Sequence, residues 1–268
     1  MAKTLKSITK ELHNVDCVCE ILDARIPYSS QNPNLSQIIT RKPKFYVLSK
    51  ADLADEKTTR QWISYLHSEG SDAFALDCRD SQNRKKLKKA LDIFISENVR
   101  RKTEARPRIM FVGVPNVGKS SVINLLAGQK AAKVEDRPGV TRGKQWLDSD
   151  TFQLMDMPGV LWPKFENDKV AFNLAYTGAI KDDVFDIEEI ASSLMAEIAS
   201  IQPEVVREKV CPEFEGMSGY ELMEAYGRKR GFLVRGGEVD DLRAAKAVLT
   251  DMRNAKFGRI SLEAPGDL

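Results

Sequence analysis

One uninterrupted run, Arg108 to Ala127, constrains what this chain can fold into more than any other. It opens with the apolar residues Ile109 to Val112, passes through Gly113-Val-Pro-Asn-Val-Gly118-Lys119-Ser120, and continues with Val122, Ile123, Leu125 and Leu126 at helical spacing. The first part suits a buried parallel strand and the last an amphipathic helix. The loop between them has the G-x-x-x-x-G-K-[ST] spacing. Glycines let successive backbone N–H groups turn toward phosphate oxygens, and the helix that follows aims its positive end at the same anion. Lys119 adds a point charge for the outer phosphates, and Ser120 offers a hydroxyl to Mg²⁺.

The rest of the chain is read around that cradle. Val15, Cys17, Cys19 and Ile21 alternate as a strand would, and the strand runs into Asp23-Ala-Arg25 and a loop through Pro33. Phe45 to Leu48 form a second short strand leading directly into Ser49-Lys50-Ala51-Asp52, and Ala73 to Leu76 a third, ending in Asp77-Cys78-Arg79. Helices are predicted near residues 4–13, over Glu56 to Ser68, and where Leu87, Leu91, Phe94, Ile95 and Val99 recur. The outer face of that last helix is lysine-rich, which fits either a solvated face or one turned to RNA. Gln145 to Leu147 and Phe152 to Met155 pair around a turn, and the second of these strands ends in Asp156-Met-Pro-Gly159.

In an open parallel sheet, ligands meet the loops beyond the carboxyl ends of the strands. Ser49 to Asp52, Gly113 to Ser120 and Asp156 to Gly159 can therefore share one rim, with Thr141 on a mobile loop before β-structure resumes. An aspartate at position 52 can accept two hydrogen bonds from guanine's N1–H and exocyclic amine, a donor pair that adenine lacks. An ATPase or kinase is the alternative in which Asp52 is coincidence. The base-reading segment precedes the phosphate loop, an order that a circular permutation explains, because permutation moves the chain ends and leaves the rim intact.

Length and composition fit this reading. With 268 residues, 42% hydrophobic and 30% charged, the chain exceeds one average domain. An α/β domain with a mostly parallel sheet over residues 1–172 and a small all-α domain over 173–268 are expected. The second domain would hold helices built on Ile187, Ile190, Leu194 and Ile198, on Leu222, Met223 and Tyr226, and on Val239, Leu242, Ala245, Leu249 and Met252. No apolar run approaches the roughly 18 residues of a membrane span. The start lacks the apolar core of a secretory signal, so a cytoplasmic protein is predicted, with the mitochondrial matrix as the alternative. Cys17, Cys19, Cys78 and Cys211 lack the spacing of zinc ligands.

Ile21-Leu-Asp-Ala-Arg-Ile-Pro27, the phosphate loop, Pro138-Gly-Val-Thr141, Asp156-Met-Pro-Gly159 and the tail Gly236-Gly-Glu-Val-Asp240 with Arg243-Ala-Ala245 and Gly258-Arg259 together resemble the circularly permuted GTPases of the ribosome biogenesis GTPase A (YlqF) family. The resemblance implies a P-loop GTPase domain followed by a helical domain, and a GTP-hydrolysing assembly factor for the large ribosomal subunit, activated by that subunit. It implies nucleotide contacts from Ser49, Lys50 and Asp52, from Asp77 and Cys78, from Pro115, Asn116, Val117, Gly118, Lys119, Ser120 and Ser121, and from the backbone of Gly159. Lys119, Thr141 and Gly159 would serve the reaction, and Ser120, Thr141 and Asp156 would hold Mg²⁺. Asn116 resembles the phosphate-loop asparagine of potassium-stimulated GTPases, with a plain loop-stabilising role as the alternative.

Four departures qualify the resemblance. Val160 stands where many GTPases carry a water-orienting glutamine, so slow intrinsic hydrolysis is expected. Family members carry a Pro-Gly-His segment just before the residues equivalent to Met1 to Lys3, with a proposed catalytic histidine. Here that role is unfilled or the start is truncated, and His13, read on the opening helix, is taken as structural. Ser49 replaces the usual Asn, which predicts a weaker base contact and a weaker tether to the phosphate loop. Asp77-Cys78-Arg79 leaves only a backbone contact to guanine O6. The alternative function is therefore a nucleotide-gated scaffold for RNA or ribosomes with negligible turnover. RNA contacts are expected from Arg228, Lys229, Arg230 and Arg235 and from Arg243, Lys246 and Arg253 on the last helix, with ordinary solvated residues as the bland reading.

Overall fold

The computed structural model describes residues 2–100, 105–128, 145–162, 165 and 167–267. They fall into two compact units, one comprising Met1–Glu166 with Glu263–Leu268 and the other Asn167–Leu262. The boundary expected at 172/173 therefore shifts upstream, and the last residues, expected in the helical domain, return to the first unit.

The first unit is a six-stranded sheet: β1 (Cys17–Asp23), β2 (Lys44–Ser49), β3 (Asp72–Leu76), β4 (Arg108–Gly113), β5 (Gln145–Asp148) and β6 (Gln153–Asp156), in the spatial order β3-β2-β1-β4-β6-β5. All neighbours are parallel except β5, which turns back antiparallel on β6. Helices α1 (Ala2–Glu11), α2 (Pro33–Ile38), α3 (Glu56–Ser68), α4 (Gln82–Asn98) and α5 (Lys119–Ala127) complete it. β1 and β4 lie side by side, and successive strands depart from them in opposite directions. Such a reversal opens a crevice at the carboxyl ends of the two strands.

β1 differs from its predicted pattern. All seven of its residues are buried, including Val18, Glu20 and Leu22, which simple alternation would leave on an outer face. The reason is its central place in a parallel sheet covered on both faces. On one face Val18, Met110, Val112 and Met155 pack with Ile8, Leu35 and Ile39; farther along, Leu22, Tyr46 and Leu48 pack with Trp62 and Leu66 of α3. α3 starts where predicted because Asp55 caps it, its carboxylate accepting from the Thr58 N–H at 2.7 Å. His13 is exposed in the 3₁₀ turn Leu12–Asn14 that follows α1, not on the helix itself.

The second unit contains α6 (Asp168–Tyr176), α7 (Ile187–Ile201), α8 (Pro203–Lys209), α9 (Gly219–Lys229) and α10 (Asp241–Arg253). Its core draws on Leu174, Ile190, Leu194, Ile198, Leu222, Met223, Tyr226, Val248, Leu249 and Met252. α9 begins with a capping box between Ser218 and Glu221. The buried stripe of α10 runs through Ala244, Ala245, Val248, Leu249 and Met252. Leu242, expected in that stripe, is 45% exposed, and Val239 precedes the helix in a bridge to Leu233.

Candidate functional site

The phosphate loop takes its shape from close backbone packing. At Gly113, φ is +156° and a Cβ would stand 2.6 Å from the Ile21 carbonyl oxygen of β1, so a side chain cannot be accommodated there. Asn116 adopts left-handed backbone at φ 55°. Val117 is buried, Pro115 is half-buried, and Gly118 caps α5, in whose first turn Ser120 and Ser121 are half-buried. The Lys119 side chain is buried and pairs with the Asp156 carboxylate at the end of β6. Burial pulls the Lys119 pKa down while Asp156 opposes the shift.

The segment after Asp156 runs against this loop. Met157 N–H donates to the Phe111 carbonyl at 3.3 Å, and Val160 N–H to that of Gly113 at 3.1 Å. Between them Gly159 lies so near the loop that a Cβ would be 2.8 Å from Pro115 N and 2.9 Å from Pro115 Cα. Glycine there is a packing requirement. The Val160 side chain is buried among Ile8, Leu35, Ile39 and Met157, so it faces the core and offers nothing to a water. Its carbonyl accepts from Asn32 Nδ2 at 2.8 Å.

The base-reading segment lies on the same rim. Ser49 Oγ contacts both the Leu22 carbonyl, at 3.0 Å, and the Val117 carbonyl of the phosphate loop. Although serine replaces the usual asparagine, its shorter side chain still reaches the loop, because β2 ends close beside it. Lys50 has left-handed backbone at φ 55°, and its ammonium lies 3.1 Å from Asp23. Asp52 is largely buried and pairs with Arg79 at 2.5 Å. Burial and neighbouring Asp77 raise the Asp52 pKa, and Arg79 opposes them. Asp77 accepts from the Arg79 N–H at 2.8 Å, while its carbonyl accepts from Asn83 Nδ2 at 3.0 Å. The Cys78 thiol is pushed up to about 12 by burial, with Asp77 and Asp52 adding to it.

The rim therefore brings together Ser49, Lys50, Asp52, Asp77, Cys78, Pro115 to Ser121, Asp156 and Gly159; Thr141 lies outside the described residues. The donor set fits Mg²⁺. Ser120 and Asp156 offer hard oxygens, and the Asp156 carboxylate already takes a cation, the Lys119 ammonium. Mg²⁺ is commonly held by one or two carboxylates together with substrate phosphates. Among the described residues no group of three or more His, Cys, Asp or Glu could cage a metal without a ligand's help.

Three contributors went unread in the sequence. Asp23 and Arg25 form a buried pair at the end of β1, and charged residues directly after an apolar strand are their one local signal. Glu263 accepts from the N–H groups of Tyr28, at 2.9 Å, and Ser29, at 3.1 Å, and from the Ser29 hydroxyl. It lies more than two hundred positions from those partners, and no local pattern announces it.

In the second unit the basic residues divide. Arg228, Lys229, Arg230, Arg235, Arg243 and Lys246 are exposed, with Arg243 stacked 4.4 Å from the Phe232 ring centroid. Arg253 does not belong with them. Its guanidinium donates to the carbonyls of Ala175 and Tyr176 and pairs with Asp182 at 2.6 Å, closing the carboxyl end of α6. Arg230 pairs with Asp251 at 2.6 Å and donates to the Tyr226 oxygen at 2.7 Å.

Residues 108–206 match a family described as 50S ribosome-binding GTPase. The chain is 38% identical to ribosome biogenesis GTPase A of Bacillus cereus, over 99% of this chain and 92% of that one. Among solved structures it resembles GNP-bound YlqF from T. maritima, with a TM-score of 0.73, 28% identity and coverage of 99% and 100% of the two chains. GDP-bound TM YlqF is similar, with a TM-score of 0.72, 30% identity and coverage of 97% and 100%.

Proposed function

The chain belongs to the ribosome biogenesis GTPase A family, and from that premise we propose that it is an assembly factor for the large ribosomal subunit whose GTP hydrolysis the subunit accelerates. It binds and hydrolyses GTP as its family does. The observation that carries the finer reading is the contact between Gly159 and Pro115: the loop that would sense the γ-phosphate packs directly on the phosphate cradle. Through it, Gly159's backbone would distinguish GTP from GDP while Lys119 and Ser121 hold phosphates. When bound, Mg²⁺, held by Ser120, Asp156 and Thr141, would offset charge on the phosphate oxygens.

Slow unaided turnover follows from Val160, whose buried side chain leaves no water-orienting amide at that position. A partner that completes the site would then set the rate. Asn116 would contribute an oxygen to K⁺, which would supply positive charge toward the phosphates. Arg228, Lys229, Arg230, Arg235, Arg243 and Lys246 would meet rRNA phosphates, with Arg253 reassigned to holding the helical unit together. The description of the matching family, 50S ribosome-binding GTPase, supports this choice of partner. A bacterial cytoplasm is the setting this implies.

Co-sedimentation with isolated large subunits tests the proposal. Binding should be retained with a non-hydrolysable GTP analogue, weaken with GDP, and fall when Arg228, Arg235 and Arg243 are changed together to Glu, with GTP affinity intact. Binding that ignores both the nucleotide and the arginines would refute it.

A further inference from the structure

The Asp23-Ala-Arg25 turn is given no part in nucleotide binding above, yet it holds a buried ion pair with a third charge beside it. Asp23 ends β1 directly across from Ser49 of β2, one residue before Lys50. Arg25 Nε donates to Asp23 Oδ1 at 2.9 Å, Arg25 Nη2 to Oδ2 at 2.7 Å, and the Arg25 N–H to Oδ1 at 3.1 Å. Both side chains are almost fully buried, and Arg25 Nη1 has no hydrogen-bond partner among the described residues. The Asp23 N–H is in turn held by Ser30 Oγ at 3.0 Å. Lys50 completes the group, its ammonium 3.1 Å from the same Oδ2 that Arg25 binds.

Burying a carboxylate–guanidinium pair is seldom the cheapest route to stability, since apolar residues of similar volume often do as well. The third member gives the pair a use. Lys50 is the lysine of the base-reading segment, and its backbone is already fixed in a left-handed turn at φ 55°. A free lysine would lose rotamer entropy on lying along a purine ring. With its backbone set by the turn and its ammonium held by Asp23, the four-carbon stem is ordered before the base arrives. The Asp23 carboxyl stays ionised for this purpose: burial would raise its pKa, but Arg25 and Lys50 outweigh burial and hold it well below the ordinary carboxylate range.

We propose that Asp23, clamped by Arg25, is a positioning residue for guanine-nucleotide recognition that pre-orders Lys50 against the purine face. The proposal rests on the chain's being a GTP-binding protein, and GDP binding by the unmodified chain reads that premise separately.

A double-mutant cycle on the full chain tests it, using Asp23→Asn, Lys50→Met and their combination, with fluorescent GDP titrated at fixed Mg²⁺ and a thermal melt for each protein. For residues in direct contact that act as a unit, Asp23→Asn should weaken GDP binding about tenfold. In the Lys50→Met background the same change should cost less than about twofold, because the group it positions is gone. An equal loss in both backgrounds would overturn the proposal, as would undiminished GDP affinity in folded Asp23→Asn. Should that variant not fold, Arg25→Lys takes its place: it keeps the charge, gives up the two-pronged grip, and must show the same dependence on Lys50.

Discussion

Replacing Glu263 by alanine perturbs the first unit at a point far in sequence from everything it holds. Its carboxylate accepts from the Tyr28 and Ser29 N–H groups and from the Ser29 hydroxyl, and its own carbonyl accepts from the Trp62 indole at 3.0 Å. The indole bond is to backbone and survives the change; the other three do not. Ser29 is fully buried, so its two donors lose a charged acceptor that water does not readily replace, whereas Tyr28 is 38% exposed and recovers much of its loss. Hydrogen bonds to charged groups contribute about 1.5–3 kcal/mol each. Two undiscounted bonds sharing one carboxylate, with little from the third, give a local cost of about 3 kcal/mol. Amide hydrogen exchange reads this directly, because local opening free energies set protection. The Ser29 amide should lose protection by about a hundredfold, at roughly 1.4 kcal/mol per factor of ten. Glu263→Gln, which keeps an acceptor oxygen, should lose far less. Unchanged protection at Ser29 in the alanine variant would refute the reasoning.

Further outcomes follow from the same geometry. Gly159→Ala places a Cβ 2.8 Å from Pro115 N where ordinary contact begins at 3.4 Å; at about 1–3 kcal/mol of overpacking, GTP affinity should fall about fivefold or more and GDP affinity less, as competition titrations would show. Ser49→Ala removes the hydroxyl that links β2 to the Val117 carbonyl and should weaken GDP binding about fivefold, near 1 kcal/mol for one net hydrogen bond; equal affinity would show the tether to be idle. Asp23→Asn should cost stability at neutral pH. Because the folded Asp23 pKa lies below the unfolded value of 3.8, its contribution is complete above that value and is lost as the pH falls through it toward the folded one. Denaturation at pH 7 and pH 3 should therefore show the gap between variant and parent narrowing in acid.

Much of the architecture was legible because its signals are local. The Gly113 to Ser120 spacing, the strand before it and the helix after it specify one another, and α3 spans Glu56–Ser68 as its periodicity predicts. What escaped was set at a distance. The burial of both faces of β1 depends on neighbours that β1's own alternation cannot reveal. That the Ser49 hydroxyl reaches the Val117 carbonyl depends on the approach of β2 to the loop, which the sequence of β2 does not reveal. Arg253 sits on its helix much as a solvent-facing arginine would, and only the carbonyls left open at the end of α6 give it another occupation. The tail's return through Glu263 has no signature in composition or period.

The central claim is that a partner completes a site whose own residues leave hydrolysis slow. GTP turnover measured in potassium buffer, with and without isolated large ribosomal subunits, tests it most directly. The account predicts a low basal rate that rises at least tenfold with subunits, with the increase diminished when sodium replaces potassium. Fast turnover by the isolated chain, or a rate that subunits leave unchanged while they bind it, would contradict the account.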